Sequence, residues 1–237
     1  MSLTFVSAFL NLFEDRSALR SPDTHINHFK RLAELNINII LFLSNSYRDD
    51  FERICGHRDN VRVEYVELYD FESYIDLEGL DIRLPSQRNT VKDTRNFLVL
   101  MNTKLECIHR AMELVTSSHY AWIDFGIKHV LTESGLEMIK TLSKHTYPKA
   151  LYMPGCWSIG NIFFHMIHWR FCGGFFLGDK DTLGNFYKAA KDNWKETVET
   201  HGLVWEVNYW AYLETKGFIR PTWYQGDHND SILHVPL

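Results

Sequence analysis

Through the first half of the chain, apolar residues fall in short unbroken runs separated by amphipathic stretches. Leu3–Phe9 is one such run. Ser21-Pro22 then reads as a cap with a first-turn proline, and Ile26, Phe29, Leu32 and Ala33 recur behind it at helical spacing, with Asn36 as the stop. Ile37–Leu43 is a nearly continuous β-branched and aliphatic strand, followed by a short polar helix over Arg48–Cys55 and another strand, Val61–Leu68. Strands this apolar, alternating with helices, predict an α/β domain whose parallel sheet is covered on both faces. Tyr69–Arg88 has mixed charge, no clear period and one proline, which predicts a mobile loop at the sheet's edge.

The clearest helical period comes next. Asp93 or Thr94 caps it, and Phe97, Met101, Leu105, Ile108, Met112 and Val115 form its apolar stripe. Lys104 falls on the edge of that stripe, so its side chain either snorkels to water or reaches an anion bound near the following strand. That strand, Tyr120–Ile123, runs straight into Asp124, with Gly126 two positions on. A buried strand ending in an acid and a glycine delivers the carboxylate to the carboxyl edge of a sheet, where open α/β sheets bind ligands. The competing reading is an Asp that caps the next helix or bonds a turn.

A helix over Glu133–Lys144 and a strand over Ala150–Met153 continue the pattern, and then its character changes. All seven tryptophans stand at position 122 or later, and Trp157, Trp169, Trp205, Trp210 and Trp223 sit among Gly, His and carboxylates. Aromatic faces beside polar groups suit sugar rings; an aromatic core accounts for the same residues. With no internal repeat or linker, residues 1–237 read as one domain with a nucleotide-binding half (1–130) and a donor-sugar and acceptor half (131–237).

Composition narrows the class. A chain of 237 residues that is 45% hydrophobic and 23% charged has the make-up of a globular domain with a sizeable core. A net charge of -5 and the lack of any Lys/Arg block argue against nucleic acid as a partner. Cys55, Cys107, Cys156 and Cys172 form no CxxC pair, and read as reduced thiols of a cytoplasmic protein, not as a disulfide frame or zinc site. The opening MSLTFVSAFLNLFEDRS has no basic region ahead of its apolar run and reads as a strand, not a signal peptide. The long uncharged stretch Ala150–Trp169 contains Pro154, Gly155, Gly160 and Asn161, so it suits peripheral membrane contact better than a spanning helix.

Motifs for a dinucleotide site, a P-loop, a nucleophile elbow and a zinc protease are absent, and Asp124-Phe125-Gly126 lacks every companion of a kinase signature. Three late segments carry chemistry. In His168–Asp179 the pair Gly173-Gly174 lets backbone approach a ligand, with Arg170 and Asp179 offering hydrogen bonds at either end. In Val204–Trp210 the single acid Glu206 opens a helix in aromatic surroundings, which raise a carboxyl pKa toward the range useful for proton transfer. In Trp223–Asp230 a His and acids cluster after a short strand, where they could meet a metal ion or a diphosphate.

Together the blocks TFVSAFLNL, LPSQRNTVKDTRNFLVLMNTK, AWIDFGIKH, PGCWSIG, HWRFCGGFFLGDK, WEVNYWAYLE and WYQGDHNDSIL resemble the HtrL/YibB-like family of bacterial glycosyltransferases, and more loosely the GT-A glycosyltransferases as a class. The resemblance implies a single GT-A-like fold, a central, mostly parallel sheet flanked by helices. It implies hexosyltransferase-like transfer from a nucleotide sugar, a UDP-sugar foremost, to a carbohydrate or glycolipid acceptor in surface-polysaccharide or lipopolysaccharide synthesis. The setting would be cytoplasmic, peripheral to the inner face of the membrane. The class's acidic DxD falls on Asp124 and Gly126, its Gly-rich strand on Gly173 and Gly174, its acceptor-side acid on Glu206 and its metal-completing His on His228. In this reading Asp124 and Glu206 are catalytic. Lys104, Asp124, Gly126, Gly173, Gly174 and Arg170 meet the donor, and Trp169, Asp179, Trp205 and Asn208 line the acceptor pocket. Asp124 and His228 hold Mn²⁺ or Mg²⁺. Because the second acid of DxD is Gly126, a metal-free site with Lys104 neutralising the diphosphate is the alternative. A non-catalytic nucleotide-sugar or carbohydrate-binding protein is the other.

Overall fold

The computed structural model describes residues 2–12 and 22–236. Ser21, the expected cap of the first helix, lies outside them. Seven strands form one sheet: β1 (Leu3–Phe9), β2 (Ile39–Leu43), β3 (Val61–Tyr65), β4 (His119–Ile123), β5 (Leu151–Gly155), β6 (Phe175–Asp179) and β7 (Thr222–Gln225). They lie in the order β3-β2-β1-β4-β6-β5-β7. The chain builds outward from β1 through β2 to β3, then returns to the other flank of β1 with β4, so the order reverses between β1 and β4.

Each face of the sheet carries its own core, because alternate residues of a strand point to opposite sides. Phe5, Ile39, Leu41, Ala121, Ile123, Phe175 and Leu177 pack under α1 (Pro22–Ala33), α2 (Arg48–Cys55) and α6 (Glu133–Leu142). Val6, Ile40, Phe42, Tyr120, Trp122 and Phe176 pack under α4 (Arg95–Asn102), α5 (Lys104–Leu114), α7 (Lys180–His201) and α8 (Glu206–Thr215). This two-sided burial is what the apolar runs require, and Asn36, in the left-handed region at φ 61°, follows the end of α1.

The sheet is mostly parallel, as expected, and β6 alone runs antiparallel to its neighbours β4 and β5. The segment after Gly155 stays at the edge where β5 ends, held by Cys156 N–H to Trp169 O (3.1 Å) and Cys172 N–H to Pro154 O (2.8 Å), so β6 must start from that edge. Tyr69–Arg88 is not simply a surface loop. A helix, α3 (Glu72–Ile75), forms within it, and Phe71 and Leu77 are fully buried anchors. The long helix of the middle region is two helices broken at Thr103, whose hydroxyl donates to Leu100 O (2.8 Å). The break leaves Phe97, Met101 and Val115 only partly buried and turns Lys104 inward.

The helix α7 is one for which the apolar pattern gave no expectation. Its buried Leu183, Phe186, Ala190, Trp194 and Thr197 recur at three- and four-residue steps. Asp179 caps it, accepting from the backbone of Asp181 and Thr182 (3.1 Å each) and from the Thr182 hydroxyl (2.5 Å). Asp179→Ala is expected to cost about 1–2 kcal/mol, read from urea unfolding.

Candidate functional site at the carboxyl edge of the sheet

Every residue of β4 is buried, and the next position, Asp124, emerges at the strand's carboxyl end beside the β1–β4 reversal. Its backbone N–H continues the ladder to Gly174 O (3.0 Å). Trp122, two residues back and therefore on the same face, donates its indole N–H to Asp124 Oδ1 (2.7 Å).

Lys104, the first residue of α5, completes the arrangement. Its Nζ lies 2.9 Å from Asp124 Oδ1, 2.8 Å from Glu206 Oε1 and 2.9 Å from Gly173 O, so all three N–H donors have acceptors. The Lys104 side chain is 1% exposed and that of Glu206 6%, whereas Asp124 is 38% exposed. Asp124 Oδ2 has no hydrogen-bond partner among the described residues and is the open oxygen of the cluster. One lysine thus bridges two acids inside the protein.

Burial pulls the Lys104 ammonium toward deprotonation, but Asp124 and Glu206 together hold its pKa above the ordinary lysine value. Burial is the main force on Glu206, and it raises that carboxyl above the usual range despite Lys104. The two glycines are dictated by this packing. A Cβ on Gly173 would stand 2.1 Å from Glu206 Oε1, and one on Gly174 would stand 3.0 Å from Ile127 Cδ1 and 3.6 Å from Asp124 Oδ2. A side chain at 173 is therefore excluded by the acid behind it.

Asp124, Glu206, Gly173, Gly174 and Lys104 thus converge, as the sequence suggested. Lys104 does so as neither a snorkelling lysine nor a phosphate contact, because its donors are saturated inside the protein. Other expected site residues are engaged elsewhere. Arg170 makes a bidentate pair with Glu214 (2.7 Å on each arm) and donates to Trp157 O (3.1 Å). Asp179 pairs with His119 across the sheet, at the opposite end of β4 from Asp124. Asn208 donates to Phe163 O (2.6 Å) and Met166 O (2.8 Å) and accepts from His168 N–H (3.0 Å), so it clamps the 163–168 segment. Trp205 is buried in the core. Asp230 accepts from the backbone (2.8 Å) and hydroxyl of Thr132 at the start of α6. At position 126, a Cβ would come 3.2 Å from His25 Nδ1, so the missing second acid has an imidazole in its space.

His228 stands apart from the ligand role expected beside Asp124. Its ring packs edge-on against half-buried Trp169 (4.5 Å), and its ligand atom lies within 4.8 Å of the Cys156 and Cys172 sulfurs. Those two cysteines, read from their spacing as unrelated, have Sγ atoms 3.7 Å apart. Sequence reasoning also passed over the carboxyl ends of β1 and β2. There Phe9 stacks between Phe125 (4.4 Å) and Tyr47 (4.6 Å), and the Ser44 hydroxyl donates to Glu67 (2.7 Å) and accepts from Asn11 N–H (2.8 Å). Their signal was position alone, at the ends of strands.

No family model matches the chain, and no curated protein matches it significantly in sequence. Among solved structures its path is similar to the bifunctional IspDF from Campylobacter jejuni (12% identity, TM-score 0.46), covering 98% of this chain and about half, 51%, of that one. It is similar to a glycosyltransferase involved in glycosylation of the major capsid of PBCV-1 (13% identity, TM-score 0.48, 96% of this chain and 82% of that one). Mouse xyloside xylosyltransferase 1 is a third likeness (7% identity, TM-score 0.48, 95% and 84%). At these levels no residue's role carries over.

Lys104→Met would leave two acids without their buried partner and is expected to cost about 3–5 kcal/mol in urea unfolding at neutral pH. Glu206→Gln keeps an acceptor for Lys104 and should stay within about 1 kcal/mol of wild type. Because the folded pKa of Glu206 is raised, its contribution is fully present below the ordinary glutamate pKa and is lost as pH rises through the folded value. The stability of wild type relative to Glu206→Gln should therefore fall over that rise. A pH-independent difference would contradict the assignment.

Proposed function

We propose that the chain is a glycosyltransferase that moves a sugar from a nucleotide-sugar donor, a UDP-sugar foremost, to a carbohydrate acceptor in surface-polysaccharide or lipopolysaccharide synthesis. The observation that carries this reading is the Asp124 carboxylate beside the strand-order reversal. Oδ1 is fixed by Lys104 and Trp122, and Oδ2 is open next to Gly174. Ligands of open α/β sheets bind outside the carboxyl ends of the strands at such a reversal. Residues 1–130 would then hold the nucleotide and 131–237 the donor sugar and acceptor.

Loss of a nucleotide diphosphate needs negative charge stabilised on its phosphates. Mn²⁺ and Mg²⁺ accept one or two carboxylates together with substrate phosphates and water. Asp124 Oδ2 suits that role, while position 126 offers no second acid and His228 keeps company with thiols. Asp124 would hold the ion, which when bound supplies charge neutralisation at the leaving group. Glu206 is proposed as a positioning residue: its buried carboxylate holds Lys104, and Lys104 holds Asp124.

Gly173 and Gly174 keep the edge clear for the donor sugar. Half-buried Trp169 and exposed Trp157, Ile159 and Phe163, all on the 156–169 segment, give apolar faces for an acceptor glycan or glycolipid. Among the described residues no helix is long and apolar enough to cross a membrane. A glycolipid acceptor would be met at the membrane's inner face through that segment.

The test is UDP-sugar hydrolysis and transfer, with and without Mn²⁺. Asp124→Asn should lower turnover by about 10²–10³-fold, and unchanged activity with unchanged nucleotide affinity would remove Asp124 from the mechanism. Glu206→Gln should retain donor binding and lose roughly 10–100-fold in turnover. Donor binding without turnover over a broad acceptor panel would mark a binding protein instead.

A further inference from the structure

A second cluster of donor atoms lies farther along the same edge, at the ends of β5 and β7. Gly155 creates it. A Cβ there would stand 1.8 Å from Arg170 O and 2.5 Å from Trp223 Nε1, so only glycine lets three segments close on this point. Trp223 Nε1–H donates to Arg170 O (3.1 Å) and Gly226 N–H to Gly155 O (2.9 Å), which fastens the segments together. One residue beyond Gly155 is Cys156, two beyond Arg170 is Cys172, and two beyond Gly226 is His228.

We propose that Cys156, Cys172 and His228 form a zinc site that ties the ends of β5 and β7 to the segment leading into β6, its fourth position filled by water or by the exposed Asp227 carboxylate turning in. One ligand atom from each of the first three residues lies within 4.8 Å of the others. Three spacings match a tetrahedron, although Asp227 lies outside the group of atoms that are all within 4.8 Å of one another. With Zn–S near 2.3 Å, two thiolates on one zinc stand about 3.8 Å apart, and these sulfurs are 3.7 Å apart. Zn–O and Zn–N bonds of about 2.0–2.2 Å put a carboxylate oxygen about 3.6 Å from a thiolate and about 3.4 Å from an imidazole nitrogen. Asp227 Oδ1 is 3.6 Å from Cys156 Sγ and 3.4 Å from His228 Nδ1.

Two sulfurs and an imidazole select a soft or borderline cation over Mg²⁺ or Mn²⁺. Zinc would displace the two thiol protons to the solvent, with no change of oxidation state. A disulfide is the rival, and it needs the sulfurs to close to about 2.05 Å. Trp169, packed on the His228 ring, holds the imidazole in place from outside. The inference is independent of the transferase reading, because its readout needs neither donor nor acceptor.

The experiment is titration of the reduced, chelator-stripped full-length chain with Co²⁺ alone, followed by Zn²⁺ competition. One Co²⁺ per chain is expected, with a thiolate-to-cobalt charge-transfer band and the intense visible bands of a tetrahedral ion, all abolished by Zn²⁺. Cys156→Ser and Cys172→Ser should each remove most of the charge-transfer intensity, and Asp124→Asn and Cys55→Ser should keep it. His228 is 48% exposed, so His228→Gln should fold, as circular dichroism would verify. It should weaken Co²⁺ by more than the roughly 10–100-fold that loss of a supporting partner costs. A wild-type chain without the band, a band untouched by Cys156→Ser or His228→Gln, or a Cys156–Cys172 disulfide that persists at a cytosolic glutathione poise would overturn the proposal.

Discussion

A single buried ammonium sets the terms for the rest of this edge. Taking Lys104 out of water would be prohibitive without full compensation, and the compensation comes from three separate places in the chain: Asp124 after β4, Gly173 O before β6, and Glu206 at the start of α8. The break at Thr103 is what aims Lys104 inward, and Gly173 follows from the same demand, since Glu206 occupies the space its side chain would need. A buried ion pair is weak evidence of net stability, but removing one partner is severe. The cluster therefore fixes geometry: Asp124 is held by one oxygen and presents the other.

The edge has two chemically distinct ends. Around Asp124 the donors are hard oxygens beside the strand-order reversal; around Cys156, Cys172 and His228 they are sulfur and imidazole. Cys172 and Gly173 are neighbours in the chain, so the two ends are joined by one peptide bond. A cation on the thiols would stiffen the backbone whose carbonyl receives Lys104.

Much of this was legible before the fold was known. Unbroken apolar runs marked most of the strands, and a run ending in Asp124 and Gly126 marked the edge where the acid would stand. Lys104 was found through its place in the helical period, but its role was not. A period says that a side chain faces inward, while the partners it meets there, Glu206 and Gly173 O, are many residues away and invisible to spacing. Direction in the sheet was equally hidden, because FFLGD is buried on both sides and reads the same for a parallel or a reversed strand. Arg170, Asp179 and Asn208 look functional as polar residues near glycines and aromatics. Each instead satisfies a local need: a carboxylate, a helix start and a set of loop carbonyls. The two cysteines failed the usual spacing rule because β-sheet neighbours, not sequence neighbours, bring them together.

The reversed course of β6 has one more consequence. Residues 156–174 leave the sheet and rejoin it on the same side, so they form a closed excursion pinned at both feet by Cys156–Trp169 and Cys172–Pro154 backbone bonds. Between those feet its course is set by side chains: Asn208 donates to Phe163 O and Met166 O, and Arg170 donates to Trp157 O. It carries exposed Trp157, Ile159 and Phe163 to the carboxyl edge of the sheet on a segment that contains no strand of its own.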